Sequence, residues 1–106
     1  RVLNGLIESS SHFISINTVQ KAVAKHYDLK VSDLKAKNNS RRIAEPRQIA
    51  MFLCRELTGS SLPQIAKEFG GKHHTTVMHS IRKIASLRQD SPRLEGALSR
   101  LSEVLQ

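Results

Sequence analysis

Four consecutive polar residues follow a pair of glycines and precede an apolar helical pattern: His73, His74, Thr75 and Thr76. Their imidazole and hydroxyl groups can hydrogen-bond to base edges, and the threonine methyl groups can contact the C5-methyl group of thymine. A helix N-terminus also presents free N–H groups, to which a phosphate oxygen can bind. Polar residues at a helix start can alternatively be present only to cap the helix, without any ligand. Their types and positions suit contact with A·T-containing DNA.

The positive charge of the chain is concentrated in two segments. The 106 residues contain 17 Lys and Arg against 9 Asp and Glu, which gives a formal net charge of +8. Residues 35–55 carry a net charge of +5 and residues 67–88 carry +4, whereas the rest of the chain is nearly balanced. This clustering favours a polyanionic partner, although a basic surface can also serve solubility alone.

The spacing of apolar residues predicts helices along most of the chain. We expect them over about residues 17–27, 31–34, 46–59, 62–69, 74–89 and 92–105. The helix from residue 46 is expected to begin at Pro46, whose fixed φ suits a first turn. Residues 37–42 lack apolar periodicity and are predicted to form an exposed basic loop. With 4% aromatic residues and no internal repeat, the sequence indicates a single all-α domain.

Capping signals mark several of the predicted helix starts. Asn17 and Ser61 are each followed three residues later by a glutamine, Gln20 and Gln64, which is the spacing of a capping box. Ser32 is a further candidate N-cap.

Over residues 62–89 a short helix, a glycine-containing turn and a longer helix follow one another, which is the order of a helix-turn-helix. In that motif the second helix enters the major groove.

The segment PRQIAMFLCRELTGSSLPQIAKEFGGKHHTTVMHSIRKI, residues 46–84, closely resembles the C-terminal DNA-binding domain (domain IV) of the bacterial chromosomal replication initiator DnaA. INTVQKAVAKHYDLKVSDLKAK is similar to the first helices of that domain, and residues 1–12 resemble the end of the connector helix from the family's ATPase domain. The resemblance implies a compact helix-turn-helix domain over residues 13–106. It also implies binding to short A·T-rich boxes at the replication origin, with a basic loop in the minor groove.

The resemblance further implies two sets of DNA-contacting residues. Contacts to bases are implied for His73, His74, Thr75, Thr76, Leu62, Pro63 and Asn39. Contacts to the DNA backbone are implied for Arg41, Arg42, Arg47, Gln48, Arg55, Lys72 and Lys83.

Two positions depart from the family's pattern. His73 stands where the family usually has Asp, so the base preference at that position is open. Asn39 stands where the family usually has an arginine that enters the minor groove, and Asn lacks the charge that favours a narrow A·T groove. Arg41, Arg42 and Lys37 are the candidates to take over that role.

Neither an enzyme nor a metal site is expected. The carboxylates are scattered and no phosphate-binding Gly-rich motif is present. His74 and His79 are five residues apart, so on a helix they point in directions about 140° apart. ATP binding belongs to the family's ATPase domain, and no cofactor is expected in this chain. The single cysteine and the absence of a leader or long apolar run predict a cytoplasmic protein, and the resemblance implies that it is nucleoid-associated.

Two other functions are compatible with parts of the sequence. A dimeric helix-turn-helix repressor would use the stripe Leu94, Leu98, Leu101 and Leu105 as its dimer face. At helical spacing such a stripe is more often core, so a monomeric isolated domain is preferred. Binding to acidic phospholipids through the connector region is the other alternative, although residues 1–10 form a poor basic amphipathic helix. Regulatory proteins remain open as further partners.

Overall fold

The computed structural model describes residues 14–106, and the expected connector helix over residues 1–12 lies outside that range. The described residues form six helices: α1 (Ile16–His26), α2 (Val31–Lys35), α3 (Arg41–Thr58), α4 (Leu62–Glu68), α5 (His74–Leu87) and α6 (Pro92–Leu105). No strand occurs among them, which confirms the all-α fold class. Within this range no helix has both the length and the apolar character needed to cross a membrane.

Helix α3 is the central element of the fold, and α1, α2, α4, α5 and α6 all pack against it. Its residues Ile49, Ala50 and Cys54 have no exposed surface, and Leu53 is almost fully buried. Full burial of an isoleucine or leucine side chain contributes about 1.5–3 kcal/mol to folding. Burial also raises the pKa of the Cys54 thiol to about 12. The predicted deep burial of this helix is confirmed.

The start of α3 differs from the prediction. The helix begins at Arg41, so that Arg41 and Arg42 form its first turn and only residues 36–40 form the α2–α3 loop. Pro46 lies inside the helix, where it removes one backbone N–H donor. The additional turn is held by Ile43, which is buried, and its backbone N–H donates to the Ser40 carbonyl at 3.0 Å. Tertiary burial of Ile43 thus outweighs the local signal of the proline.

Two of the three predicted N-caps are also wrong. The cap of α1 is Ser15, whose hydroxyl accepts a hydrogen bond from the Thr18 N–H at 3.1 Å, whereas Asn17 lies within the helix. Gln20 is buried and its Nε2 donates to the Glu68 carbonyl at 2.9 Å, which ties α1 to the end of α4. Ser32 lies within α2, because that helix begins one residue earlier.

The capping box at the start of α4 is confirmed. The Gln64 N–H donates to the Ser61 hydroxyl at 3.3 Å, and the Ser61 N–H donates to Gln64 Oε1 at 3.1 Å. Two N–H groups at the helix start are satisfied in this way, which fixes the direction in which α4 enters the helix-turn-helix.

The leucine stripe of α6 belongs to the core. Leu94, Leu98 and Leu101 are each at most 2% exposed, and Leu105 packs at the edge of the same cluster. These side chains are covered by the other helices of the same chain. The preference for a core stripe over a dimer face is therefore confirmed.

The turn between α4 and α5 packs directly against the end of α2. Gly70 adopts a φ of +86°, and a Cβ atom on it would lie 2.2 Å from the Lys35 carbonyl oxygen. The next residue, Gly71, also has a positive φ of +74°, but a Cβ there would meet nothing within 4 Å. Only a glycine at position 70 allows the two backbone segments to approach this closely.

Replacement of each glycine by alanine separates the two effects. Gly71→Ala should lower the free energy of unfolding by about 1–2 kcal/mol, the cost of a left-handed non-glycine residue. Gly70→Ala pays the same cost and in addition must displace α2, which adds roughly 1–3 kcal/mol. Chemical denaturation measures both values. Equal losses in the two variants would contradict the close packing of the turn against α2.

Candidate nucleic-acid interface

The start of α5 is fixed by a histidine cap. The Thr75 N–H donates to His73 Nδ1 at 3.2 Å, and the Thr76 N–H donates to the His73 carbonyl at 3.0 Å. The imidazole therefore accepts through Nδ1, as only the neutral ring with its proton on Nε2 can. The ring of His73 also stacks on that of His74, with centroids 4.8 Å apart.

Buried residues of α5 determine which of its side chains face solvent. Val77 and Ile84 have no exposed surface and anchor the helix against the core. His74, Thr76 and Lys83 are exposed, whereas Thr75 is half-buried. Three of the four α5 residues expected to contact DNA are therefore exposed to solvent.

The start of α4 lies beside the start of α5. Pro63 is exposed, and it shares a shallow surface depression with Lys72, His73 and His74. Leu62 is half-buried and packs against the core cluster. The structure thus brings Pro63 together with residues at the start of α5 that are predicted to contact bases, while Leu62 packs against the core.

A groove with a volume of about 640 Å³ runs between the α2–α3 loop, α3 and α5, and we call it the basic groove. Its lining residues are Lys37, Asn39, Ala44, Arg47, Gln48, Met51, Lys72, Thr76, Ser80 and Lys83. Four of these side chains are cationic and none is a carboxylate. The groove therefore presents positive potential to an anion, and low-dielectric walls strengthen such a field.

Three of the arginines predicted to contact the DNA backbone, Arg41, Arg42 and Arg55, do not line the basic groove. Arg41 lines a neighbouring depression together with Asn39 and Lys83. Arg42 is exposed on the first turn of α3. Arg55 stands near the other end of that helix, where its guanidinium donates to the Ser60 carbonyl at 2.8 Å.

Arg47 is placed differently from the other cations. It is 6% exposed, and its Nη1 donates to the carbonyls of Ala36 and Asn38, both at 2.9 Å. Its Nη2 donates to Asn39 Oδ1 at 2.8 Å. Burial lowers the pKa of Arg47. Sequence reasoning assigned Arg47 to a DNA phosphate and Asn39 to a base, whereas the structure joins the two side chains to each other.

Lys72, in the turn before α5, completes the basic groove. Its Nζ donates to the Ala36 carbonyl at 3.2 Å, so this carbonyl accepts from both Lys72 and Arg47. Burial, and then the positive charges of Arg47 and Lys37, lower the pKa of Lys72. Repulsion from the other two cations disfavours the charged form of Lys72, and an anion bound in the groove would relieve it.

Ion pairs involve carboxylates of α3 and α6. Arg88 donates to both carboxylate oxygens of Glu95 at 2.7 and 2.9 Å, and Arg93 pairs with Glu45 at 3.1 Å. Exposed pairs of this kind contribute little to stability. Glu45 and Glu95 are paired with arginines outside the basic groove, and neither glutamate lines the groove. The positive field of the groove is therefore not neutralised by a carboxylate in its lining.

One polar residue that lines the groove was not among the contacts predicted from the sequence. Ser80 is 7% exposed and lines the basic groove between Thr76 and Lys83. Positions 76, 80 and 83 follow i, i+4, i+7 spacing, so the helical face of Thr76 and Lys83 could have identified Ser80.

Over residues 14–106, no cluster of three or more His, Cys, Asp or Glu side chains is arranged to hold a metal ion.

Comparison with known proteins relates this geometry to one family. Residues 16–84 match the family model described as bacterial dnaA protein helix-turn-helix. The chain is 47% identical over 104 residues to the chromosomal replication initiator protein DnaA of Limosilactobacillus fermentum (strain NBRC 3956 / LMG 18251), covering 98% of this chain and 24% of that protein. A crystal structure of a DNA replication initiation factor matches with a TM-score of 0.76 and 32% identity, over 85% of this chain and 27% of the other. The chain thus spans about a quarter of the length of these relatives.

The histidine cap can be tested without any ligand. His73→Ala removes the acceptor for the Thr75 N–H and should lower the free energy of unfolding by about 0.5–2 kcal/mol. His73→Asp keeps an acceptor and adds a negative charge at the helix N-terminus, so its stability should equal or exceed that of the unmodified protein. Urea denaturation measures these values, with His74→Ala as the control. A loss in His74→Ala as large as that in His73→Ala would refute the cap.

Proposed function

Because the chain belongs to the bacterial DnaA helix-turn-helix family, we propose that it binds double-stranded DNA, with α5 in the major groove and the α2–α3 loop directed at the adjacent minor groove. Residues 16–84 correspond to the helix-turn-helix domain of the family rather than to its ATPase domain. We assign residues 13–106 to the DNA-binding domain and residues 1–12 to the connector. We assign ATP binding to the family's ATPase domain.

One observation carries the proposal: the exposed start of α5 and the basic groove share a face. Thr76 and Lys83 on α5 line the same groove as Lys72 and Lys37 from two other segments. The major groove of B-DNA is about 12 Å wide and admits a helix. With α5 inserted there, cations on either side of it would meet the phosphates of both strands.

The two sets of contacts follow from exposure and position. We assign base contacts to His74, Thr76 and Pro63, which are exposed at the tip of the helix-turn-helix, with His73 and Thr75 beside them. We assign DNA backbone contacts to the following groove and rim residues: Gln48, Lys72, Lys83, Arg41 and Arg42. Arg55 and Leu62 act mainly through contacts inside the protein.

We further propose that the DNA target is a short A·T-rich box at a chromosomal replication origin. The curated relative is named a chromosomal replication initiator protein, and threonine methyl groups on the reading surface favour thymine. A protein with this target acts at the nucleoid. The proposal concerns a single isolated domain acting as a monomer, since the leucine stripe that would have formed a dimer face is buried.

The decisive experiment is selection from a pool of randomised duplexes followed by fluorescence anisotropy. Duplexes retained by the protein should share a short A·T-rich consensus. At near-physiological salt, the selected duplex should bind roughly a thousandfold or more tightly than a scrambled duplex of equal length. Equal, salt-sensitive binding to both duplexes would reject sequence-specific recognition and leave only non-specific attraction to phosphates.

Thr76→Ala tests the assigned base contact. Loss of the hydroxyl and methyl groups should weaken binding to the selected duplex by about 1–3 kcal/mol. Binding to the scrambled duplex should change little, because phosphate contacts carry that affinity. Anisotropy titrations on both duplexes measure the difference. Equal weakening on the two duplexes would remove Thr76 from base recognition.

Lys83→Ala tests the assigned phosphate contact. This variant should weaken binding to every duplex alike and lower the slope of log K against log salt by about one unit. Arg100→Ala on α6 is the matched control, because it removes one exposed positive charge from a helix that does not line the basic groove. A slope that changes equally in both variants would show that net charge alone determines the effect.

A further inference from the structure

We propose that Arg47 is a positioning residue that holds the α2–α3 loop in the shape required for DNA, and that Lys37 is the side chain through which this loop contacts DNA. This inference rests on the proposed DNA binding. It assigns Arg47 a different role from the phosphate contact implied by its sequence position.

The guanidinium of Arg47 is placed as an internal connector. Its side chain is 6% exposed, although α3 begins at the protein surface. Three of its hydrogen bonds run to residues 36, 38 and 39, which spans most of the loop. A guanidinium carries five N–H donors in a rigid planar fork, so one side chain can join several acceptors in fixed relative positions.

The loop lacks other strong constraints in its middle. Residues 36–40 are exposed and lie between the two helices. One local bond, from the Ser40 N–H to Asn38 Oδ1 at 2.8 Å, shapes the turn before α3. The carbonyls of Ala36 and Asn38 and the amide oxygen of Asn39 are connected to the core through Arg47. A loop held in this way loses less conformational entropy when it meets DNA.

The same bonds determine which loop side chain faces a ligand. The amide oxygen of Asn39 accepts a hydrogen bond from Arg47 and is therefore already engaged within the protein. Lys37 is exposed, lines the basic groove, and lies close enough to Lys72 for its charge to lower the pKa of that residue. Of Lys37, Arg41 and Arg42, the three candidates for the role of the missing arginine, Lys37 is the one that lines the basic groove.

Two substitutions at position 47 distinguish positioning from direct phosphate contact. Arg47→Lys keeps the charge but cannot form the planar three-acceptor arrangement, and Arg47→Met removes the charge while filling the space. We expect both variants to bind the selected duplex at least tenfold more weakly than the unmodified protein, because the loop that carries Lys37 loses its fixed shape. A direct phosphate contact would instead leave Arg47→Lys, which keeps the charge, near full affinity, and this result would overturn the assignment.

Lys37→Ala is the companion variant. If Lys37 makes the DNA contact of the loop, this exposed substitution lowers the salt slope by about one unit. It should leave the thermal unfolding midpoint unchanged, since Lys37 is exposed. An unchanged slope would refute the role of Lys37.

A double-mutant cycle keeps the test valid if Arg47 variants lose stability. Asn39→Ala alters only an exposed residue and removes one of the three bonds. It should weaken binding severalfold in the unmodified protein and have no further effect in the Arg47→Lys background. Additive losses would show that Asn39 contacts DNA independently of Arg47.

A measurement without DNA separates this inference from the proposed function. In the free protein, backbone amide order parameters for residues 37–40 should be near 0.85 and should fall below about 0.6 in Arg47→Lys. Unchanged order parameters would reject the positioning role even where DNA binding is confirmed. Absence of sequence-specific binding by the unmodified protein would reject the proposed function and leave this result intact.

Discussion

The functional face depends on the meeting of three backbone segments at the carbonyl groups of Lys35 and Ala36. Gly70 allows the α4–α5 turn to approach the Lys35 carbonyl more closely than any side-chain-bearing residue could. The next carbonyl, that of Ala36, accepts hydrogen bonds from both Arg47 on α3 and Lys72 in the turn. The loop and the helix-turn-helix therefore occupy fixed positions relative to each other, as a ligand that contacts both requires.

Gathering cations at this point opposes folding. Burial and neighbouring positive charges lower the pKa of Lys72, and burial lowers that of Arg47. Hydrogen bonds to backbone carbonyls offset part of that cost, because a buried donor without a partner is far more unfavourable. The remaining repulsion is relieved by a polyanion. The arrangement is thus less favourable for the free protein than for a complex with a polyanion.

Helix α3 serves both the core and the groove through helical periodicity. Ile49 and Leu53 face the hydrophobic core, whereas Arg47 and Gln48 face the loop and the groove. A rotation of α3 about its axis would move both sets together. Packing of the aliphatic face therefore fixes the position of the guanidinium, and with it the conformation of a loop that has little packing of its own.

The sequence by itself determined the helical fold, the helix-turn-helix and the concentration of positive charge, because apolar spacing, glycines and capping residues act over a few neighbouring positions. The Ser61 capping box and the buried stripe of α6 followed from such local signals. The start of α3 at Arg41 did not, since the burial of Ile43 outweighs the signal of Pro46. The pairing of Arg47 with Asn39 did not follow from the sequence either. The sequence does not distinguish a buried arginine from an exposed one, because burial depends on how α3 packs against the loop.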